Sequence, residues 1–143
     1  MKGNKAQVYA IDHHKGSKEL KNSVITTDGG PINSLPQFRE NIFRAGLNNI
    51  VTPLIGYSQD IGFGFDKKID LLFIDGSHEH KDVSGDFDVW APKVKKWAKI
   101  LMHDAYYFAG PARLLAEIIL EQHNRWFFNI HDYPNLAILK RLN

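Results

Sequence analysis

Three aspartates stand where apolar runs end: Asp12 after Val8-Tyr9-Ala10-Ile11, Asp75 after Leu71-Leu72-Phe73-Ile74, and Asp104 after Leu101-Met102-His103. If the runs are strands of one parallel sheet, their carboxyl ends share an edge, and ligands bind in the crevice outside it. Carboxylates gathered there repel one another unless a cation or a polyhydroxyl ligand lies between them. Any one of them could simply cap the helix or turn that follows; the recurrence at three strand ends favours a site. His78 follows Asp75 by three residues, on a turn entering a helix, where an imidazole that titrates near neutrality could act as a general base. Gly76 offers the backbone a sharp exit from the strand. His103 adjoins Asp104, so an imidazole and a carboxylate could serve one cation, although His103 reads equally well as a core histidine at a strand end. Asp75, His103 and Asp104 are thus candidate metal ligands, in a set that does not discriminate among Mg²⁺, Mn²⁺, Fe²⁺ and Zn²⁺; Mg²⁺ is the first choice.

Asp12 has another setting. A carboxylate that closes a strand before the chain loops away can accept both hydroxyls of a ribose. Tyr57 and Ser58, just past the next apolar run, could flank an adenine. His13, His14, His80, His123 and His131 lack a comparable setting and read as surface or structural residues.

The elements that must position these groups follow from pattern. Residues 7–12, 50–55, 69–74 and 99–104 read as strands, the second demoted to an edge by Pro53. Phe38, Ile42 and Ala45 recur at helical spacing behind Pro36, with Ser34 as N-cap and Gly46 or Asn48 as the stop. Val83, Phe87, Trp90 and Val94 form one stripe of a second helix, interrupted at Pro92. Pro111 opens a third, with Leu114, Leu115, Ile118 and Ile119 on one face. Asp28-Gly29-Gly30-Pro31 marks a turn, and Asp132-Tyr133-Pro134-Asn135 joins residues 126–130 and 136–139 as an antiparallel hairpin. Continuously apolar strands separated by helices indicate an α/β fold, a mostly parallel sheet with helices on both faces.

Composition bounds the function. The 143 residues suit a single domain, 43% are hydrophobic and 24% charged, and 18 Lys and Arg against 16 Asp and Glu leave a net charge of +2. That balance argues against a nucleic-acid partner. No apolar run reaches membrane-spanning length and no signal peptide is evident, so a cytoplasmic protein is expected. The absence of cysteine removes disulfides, thiolate metal sites and cysteine nucleophiles.

Taken in order, Val8-Tyr9-Ala10-Ile11-Asp12, Asn41-Ile42, Gly46-Leu47, the run Ile69 to His78, Leu101-Met102-His103-Asp104 and Gly110-Pro111-Ala112-Arg113 resemble a class I S-adenosylmethionine-dependent methyltransferase. The branch is the one with Asp-Gly-Ser/Asp-His after the fourth strand and His-Asp after the fifth. The resemblance covers essentially the whole chain and implies a Rossmann-like sheet. It implies that Asp12 binds the cofactor's ribose, that Tyr57 and Ser58 lie near its adenine, and that Asp75 sits at the methyl-transfer site. It further implies that Asp75 and Asp104 hold a divalent cation, with His103 where some relatives carry glutamate, and that His78 is the catalytic base. The expected reaction is O-methylation of a sugar or other small hydroxylated acceptor.

Two departures stand out. Lys96-Trp97-Ala98-Lys99 replaces the usual Gly-Gly before the fifth strand, so that corner is expected to be rebuilt. The family's glycine-rich first strand, central in its sheet, has no counterpart, so the chain reads as a single domain over 1–143 that is N-terminally truncated. A homo-oligomer or a partner chain could then complete the sheet. Two other readings stay open: a non-catalytic binding module, and a metal-dependent hydrolase built on Asp75, His78, His103 and Asp104.

Overall fold

The computed structural model describes residues 6–16, 32–129 and 135–143, which fall into two compact units, Met1–Ile61 and Gly62–Asn143. Among the described residues no helix is long and apolar enough to cross a membrane.

In the first unit β1 (Val8–Asp12) pairs in parallel with β2 (Val51–Ile55), in a register that sets Val8 against Val51 and Asp12 against Ile55. Parallel neighbours need a long crossover, and it contains helix α1 (Leu35–Arg44), with Pro36 in its first turn. Ser34 occupies the N-cap position, but its side chain makes no cap bond; its Oγ lies 2.8 Å from Nδ1 of the buried His14 instead. The far end of α1 closes as the sequence suggests. Gly46 takes φ +68, its N–H bonds the Phe43 carbonyl at 2.9 Å, and the Leu47 N–H bonds the Ile42 carbonyl at 3.0 Å. This is the Schellman arrangement, which satisfies two helix-end carbonyls. Pro53 is paired on one side only among the described residues, as its missing N–H demands. The turn expected at Asp28–Pro31 lies outside the described residues.

The boundary between the units falls within α2 (Ser58–Gly64), a short helix that the sequence pattern does not announce. In the second unit β3 (Ile69–Ile74), helix α3 (His80–Trp90), β4 (Val94–His103), helix α4 (Ala109–Glu121), β5 (Trp126–Asn129) and β6 (Leu136–Arg141) follow in order. The sheet runs β3-β4-β6-β5, with β3 and β4 parallel and the last two strands antiparallel. The C-terminal hairpin is therefore present, although most of its expected turn, residues 132–134, lies outside the described residues.

Val94 corrects the helical stripe. Pro92 cannot continue the α-helical ladder, so residues Ala91–Lys93 tighten into a 3₁₀ turn and Val94 opens β4, 1% exposed. Arg141 braces this corner: Nη1 donates to the carbonyls of Ala91, Pro92 and Val94 at 3.2, 3.2 and 2.6 Å. β4 is also longer than its apolar run, because a register shift carries it past Trp97 at φ +68 before pairing resumes at Lys99.

Side chains of α3 and α4, including Val83, Phe87, Leu114 and Ile118, pack with Ile100, Met102 and Leu139 into the core. Leu71, Phe73 and Phe127 of β3 and β5 remain more than half exposed. Leu139 sits on an interior strand at 0% exposure. Leu139→Ala is therefore expected to cost about 2–5 kcal/mol, lost transfer energy plus cavity, read as a lower urea midpoint at unchanged slope.

Candidate functional site

The carboxyl edge of β3 and β4 brings Asp75, His103 and Asp104 together. Their register pairs Ile74 with Met102, so the next residues, Asp75 and His103, face each other as each chain leaves the sheet. Asp104 follows in the left-handed region at φ +53, a strained conformation for a residue with a side chain, most often found where function requires it. Its carbonyl accepts the N–H groups of Tyr107 and Phe108 at 3.1 and 3.3 Å. Tyr106 lies in the same turn, and burial pushes its phenol up from the ordinary value.

His103 Nδ1 lies 3.1 Å from Asp75 Oδ1 and 3.3 Å from Asp104 Oδ2. Yet Nδ1 is buried and makes no hydrogen bond among the described residues, an anomaly for a ring N–H and the natural state of a ligating lone pair. One ligand atom from each of the three residues fits within a 4.8 Å span. Donors bound at right angles to one ion through bonds of about 2.1 Å lie about 3.0 Å apart, close to the two distances from His103 Nδ1, so the three residues could hold a divalent cation.

His78 joins this cluster from the β3–α3 turn. Its Nε2 is 3.3 Å from Asp104 Oδ2, and its ring stacks on Phe108 at 3.7 Å and 13°. Gly76 bends the chain just past β3, as expected, but the bend does not require a glycine. It has no positive φ, and an added Cβ would meet only Asp86 Oδ2 at an ordinary 3.4 Å. The turn is organised by Ser77, whose Oγ donates to Asp82 Oδ2 at 2.9 Å and accepts the Glu79 N–H at 3.2 Å.

His80 proves structural. Its Nε2 meets Glu117 Oε2 at 2.8 Å, and Arg113 Nε donates to Glu117 Oε1 at 2.8 Å, tying α3 to α4. The His80 bond, then the Arg113 bond, hold the Glu117 carboxyl below its ordinary value of 4.5. A depressed acid contributes stability above its unfolded value and loses it as pH falls toward the folded one. Thermal melts of Glu117→Gln should accordingly fall less steeply than the parent's as pH drops below about 4.5.

The remaining candidates belong to the first unit. Asp12 ends β1, 56% exposed in its side chain, and its Oδ1 accepts the His14 N–H at 2.7 Å. His13, Tyr57, Lys15 and Asp60 line a cavity of about 410 Å³ beside the carboxyl ends of β1 and β2. The rings of His13 and Tyr57 stand 4.9 Å apart. Ser58 begins α2 and is not among the lining residues. Lys15 and Asp60 carry no signal in the sequence, where each is a lone charge beside other polar residues.

The family described as Methyltransferase domain matches residues 1–105. The solved O-methyltransferase NovP superposes with a TM-score of 0.77 at 14% identity, over 99% of this chain and 62% of that one. The SAH-bound methyltransferase PaMTH1 of Podospora anserina gives 0.66 at 12% identity, over 97% and 62%. CalS11, a TDP-rhamnose 3'-O-methyltransferase of calicheamicin biosynthesis, gives 0.60 at 10% identity, over 94% and 58%. At such identities the likeness is one of fold. Among curated proteins, a stretch of 39 residues is 44% identical to the uncharacterized protein y4gI of Sinorhizobium fredii, covering 27% of this chain and 4% of that protein. The chain thus spans about three fifths of these solved proteins' length.

Proposed function

Because the chain belongs to the methyltransferase-domain family, matched over residues 1–105, we propose that it transfers a methyl group from S-adenosylmethionine to a hydroxyl of a sugar or similar small acceptor. Family membership favours this over the hydrolase and binding-module readings. The observation that carries the finer reading is the Asp75, His103 and Asp104 donor set with His78 beside it. The sugar neighbour CalS11 and the O-methyltransferase NovP support the acceptor class.

In this reading His78 accepts the acceptor's hydroxyl proton at Nε2, and Asp104, 3.3 Å away, stabilises the imidazolium that results. Asp75, His103 and Asp104 hold a divalent cation, Mg²⁺ by preference, which supplies the positive charge that makes a hydroxyl more acidic. The oxygen takes the methyl as the carbon–sulfur bond breaks, leaving a neutral thioether. Asp12 accepts hydrogen bonds from the donor's ribose, and the cavity lined by Tyr57 takes its adenine. Asp75 contributes to the methyl-transfer site as well. No nucleic acid or membrane enters the scheme, and self-association or a partner chain extending the sheet belongs to the same proposal.

Calorimetry with S-adenosylmethionine, followed by transfer of labelled methyl to a panel of sugar hydroxyls, tests the reading. Saturable binding is expected, with transfer lost in EDTA and restored by Mg²⁺. Absence of saturable binding sinks the cofactor assignment, and EDTA-insensitive transfer sinks the cation.

A further inference from the structure

Helix α4 meets the His78-bearing turn at unusually short range. A Cβ added to Gly110 would stand 2.0 Å from the His78 carbonyl oxygen, 2.6 Å from the His80 nitrogen and 3.0 Å from the Glu79 carbonyl carbon. All three are backbone atoms, so no rotamer change relieves the overlap; only glycine lets the helix sit this close. A second tie comes from the same helix two turns on, where Glu117 holds His80 at 2.8 Å. Gly110, Arg113 and Glu117 share one face of α4 by their spacing of three and four. That face thus grips the turn at residues 78–80 twice, once by close packing and once by a hydrogen bond that Arg113 braces.

What the grip positions is the His78 ring. Phe108, on which it stacks, is the N-cap residue of α4, and the Phe108 N–H bonds the Asp104 carbonyl. Phe108 and Asp104 therefore move with the start of α4, whereas His78 moves with its own turn. The distance between turn and helix decides whether ring, stacking partner and carboxylate coincide.

We propose that Gly110 and the His80–Glu117 bond are positioning elements that fix the depth of this turn on α4, holding His78 against Phe108 with Nε2 at Asp104. The catalytic consequence rests on the reading of His78 as proton acceptor; the geometric one does not.

Both are separable by experiment. In the metal-free, donor-free protein at fixed pH, the His78 ring protons should resonate upfield through the Phe108 ring current, assigned by their loss in His78→Gln. Gly110→Ala should abolish at least about half of that shift, as should His80→Ala, whereas His80→Gln, which keeps a donor for Glu117, should retain it. Methyl transfer should fall about 100-fold in kcat for Gly110→Ala, with KM for S-adenosylmethionine unchanged. Should Gly110→Ala fail to fold by circular dichroism, the His80→Ala and His80→Gln pair decides the matter. An upfield shift that persists in folded Gly110→Ala or in His80→Ala overturns the proposal. A shift that collapses as expected in a protein whose parent transfers no methyl supports the positioning and removes the proposed function instead.

Discussion

The Asp104→Asn protein is expected to bind Mn²⁺ more than about 100-fold more weakly than its parent, and to lose cation-dependent methyl transfer in step. The choice of asparagine matters because Asp104 sits at φ +53, a region that asparagine occupies as readily as aspartate and that most other side chains resist. The backbone should therefore hold, and with it the bonds from the Tyr107 and Phe108 N–H groups to the carbonyl of residue 104. What changes is one negative charge, and Asp104 Oδ2 lies 3.3 Å from both His78 Nε2 and His103 Nδ1. An amide in that place offers a weaker oxygen donor and no charge to offset a cation. Calorimetric titration of metal-free protein with Mn²⁺, beside a melt to confirm folding, reads the effect directly. Parental affinity in a folded Asp104→Asn protein would reduce the cluster to an ion-pair network with no metal role.

The sequence pattern carries the strand ends well and the groups around them less well. Asp75, His103 and Asp104 come together because two continuously apolar runs make parallel strands in a register that levels their ends. That consequence follows from residue type and needs no tertiary detail. Val94 misleads because its spacing matches the stripe of α3, while the proline two residues earlier has already ended the helix. The first half of β4 stays hidden for a related reason. A left-handed Trp97 shifts the register, so neither alternation nor an unbroken apolar run survives from Val94 to Lys99. The helix α2 spans seven residues, two of them glycine, too short to show a period. The partners of His14 and His80 are 20 and 37 residues away in the chain; neither separation leaves a local signature. Gly110 reads as an ordinary helix-start glycine until the backbone it meets is known. Chemistry-bearing residue types are thus visible from order alone, whereas the contacts that aim them depend on how deeply α4 and the turn before α3 pack.

Replacing His78 by alanine is expected to lower kcat by about 100- to 10,000-fold, the span typical of a lost general base, while Mn²⁺ affinity stays near parental. The two readouts separate because the donor set comprises Asp75, His103 and Asp104, whereas His78 stands beside it, with Nε2 at Asp104. Loss of the ring also opens a slot over Phe108, where the imidazole stacked at 3.7 Å. Added imidazole should enter that slot and restore part of the rate, with saturation, because a free base of the same shape can stack and accept the proton. Rescue of this kind distinguishes a missing base from a distorted site, which no small molecule repairs. A variant that keeps parental kcat, or one in which imidazole accelerates parent and variant alike, would take the proton-accepting role away from His78. The burden would then pass to Asp75, 47% exposed in its side chain and 3.1 Å from His103 Nδ1. Asp75→Asn would in that event abolish transfer and metal binding together, a coupled loss unlike the split expected for His78.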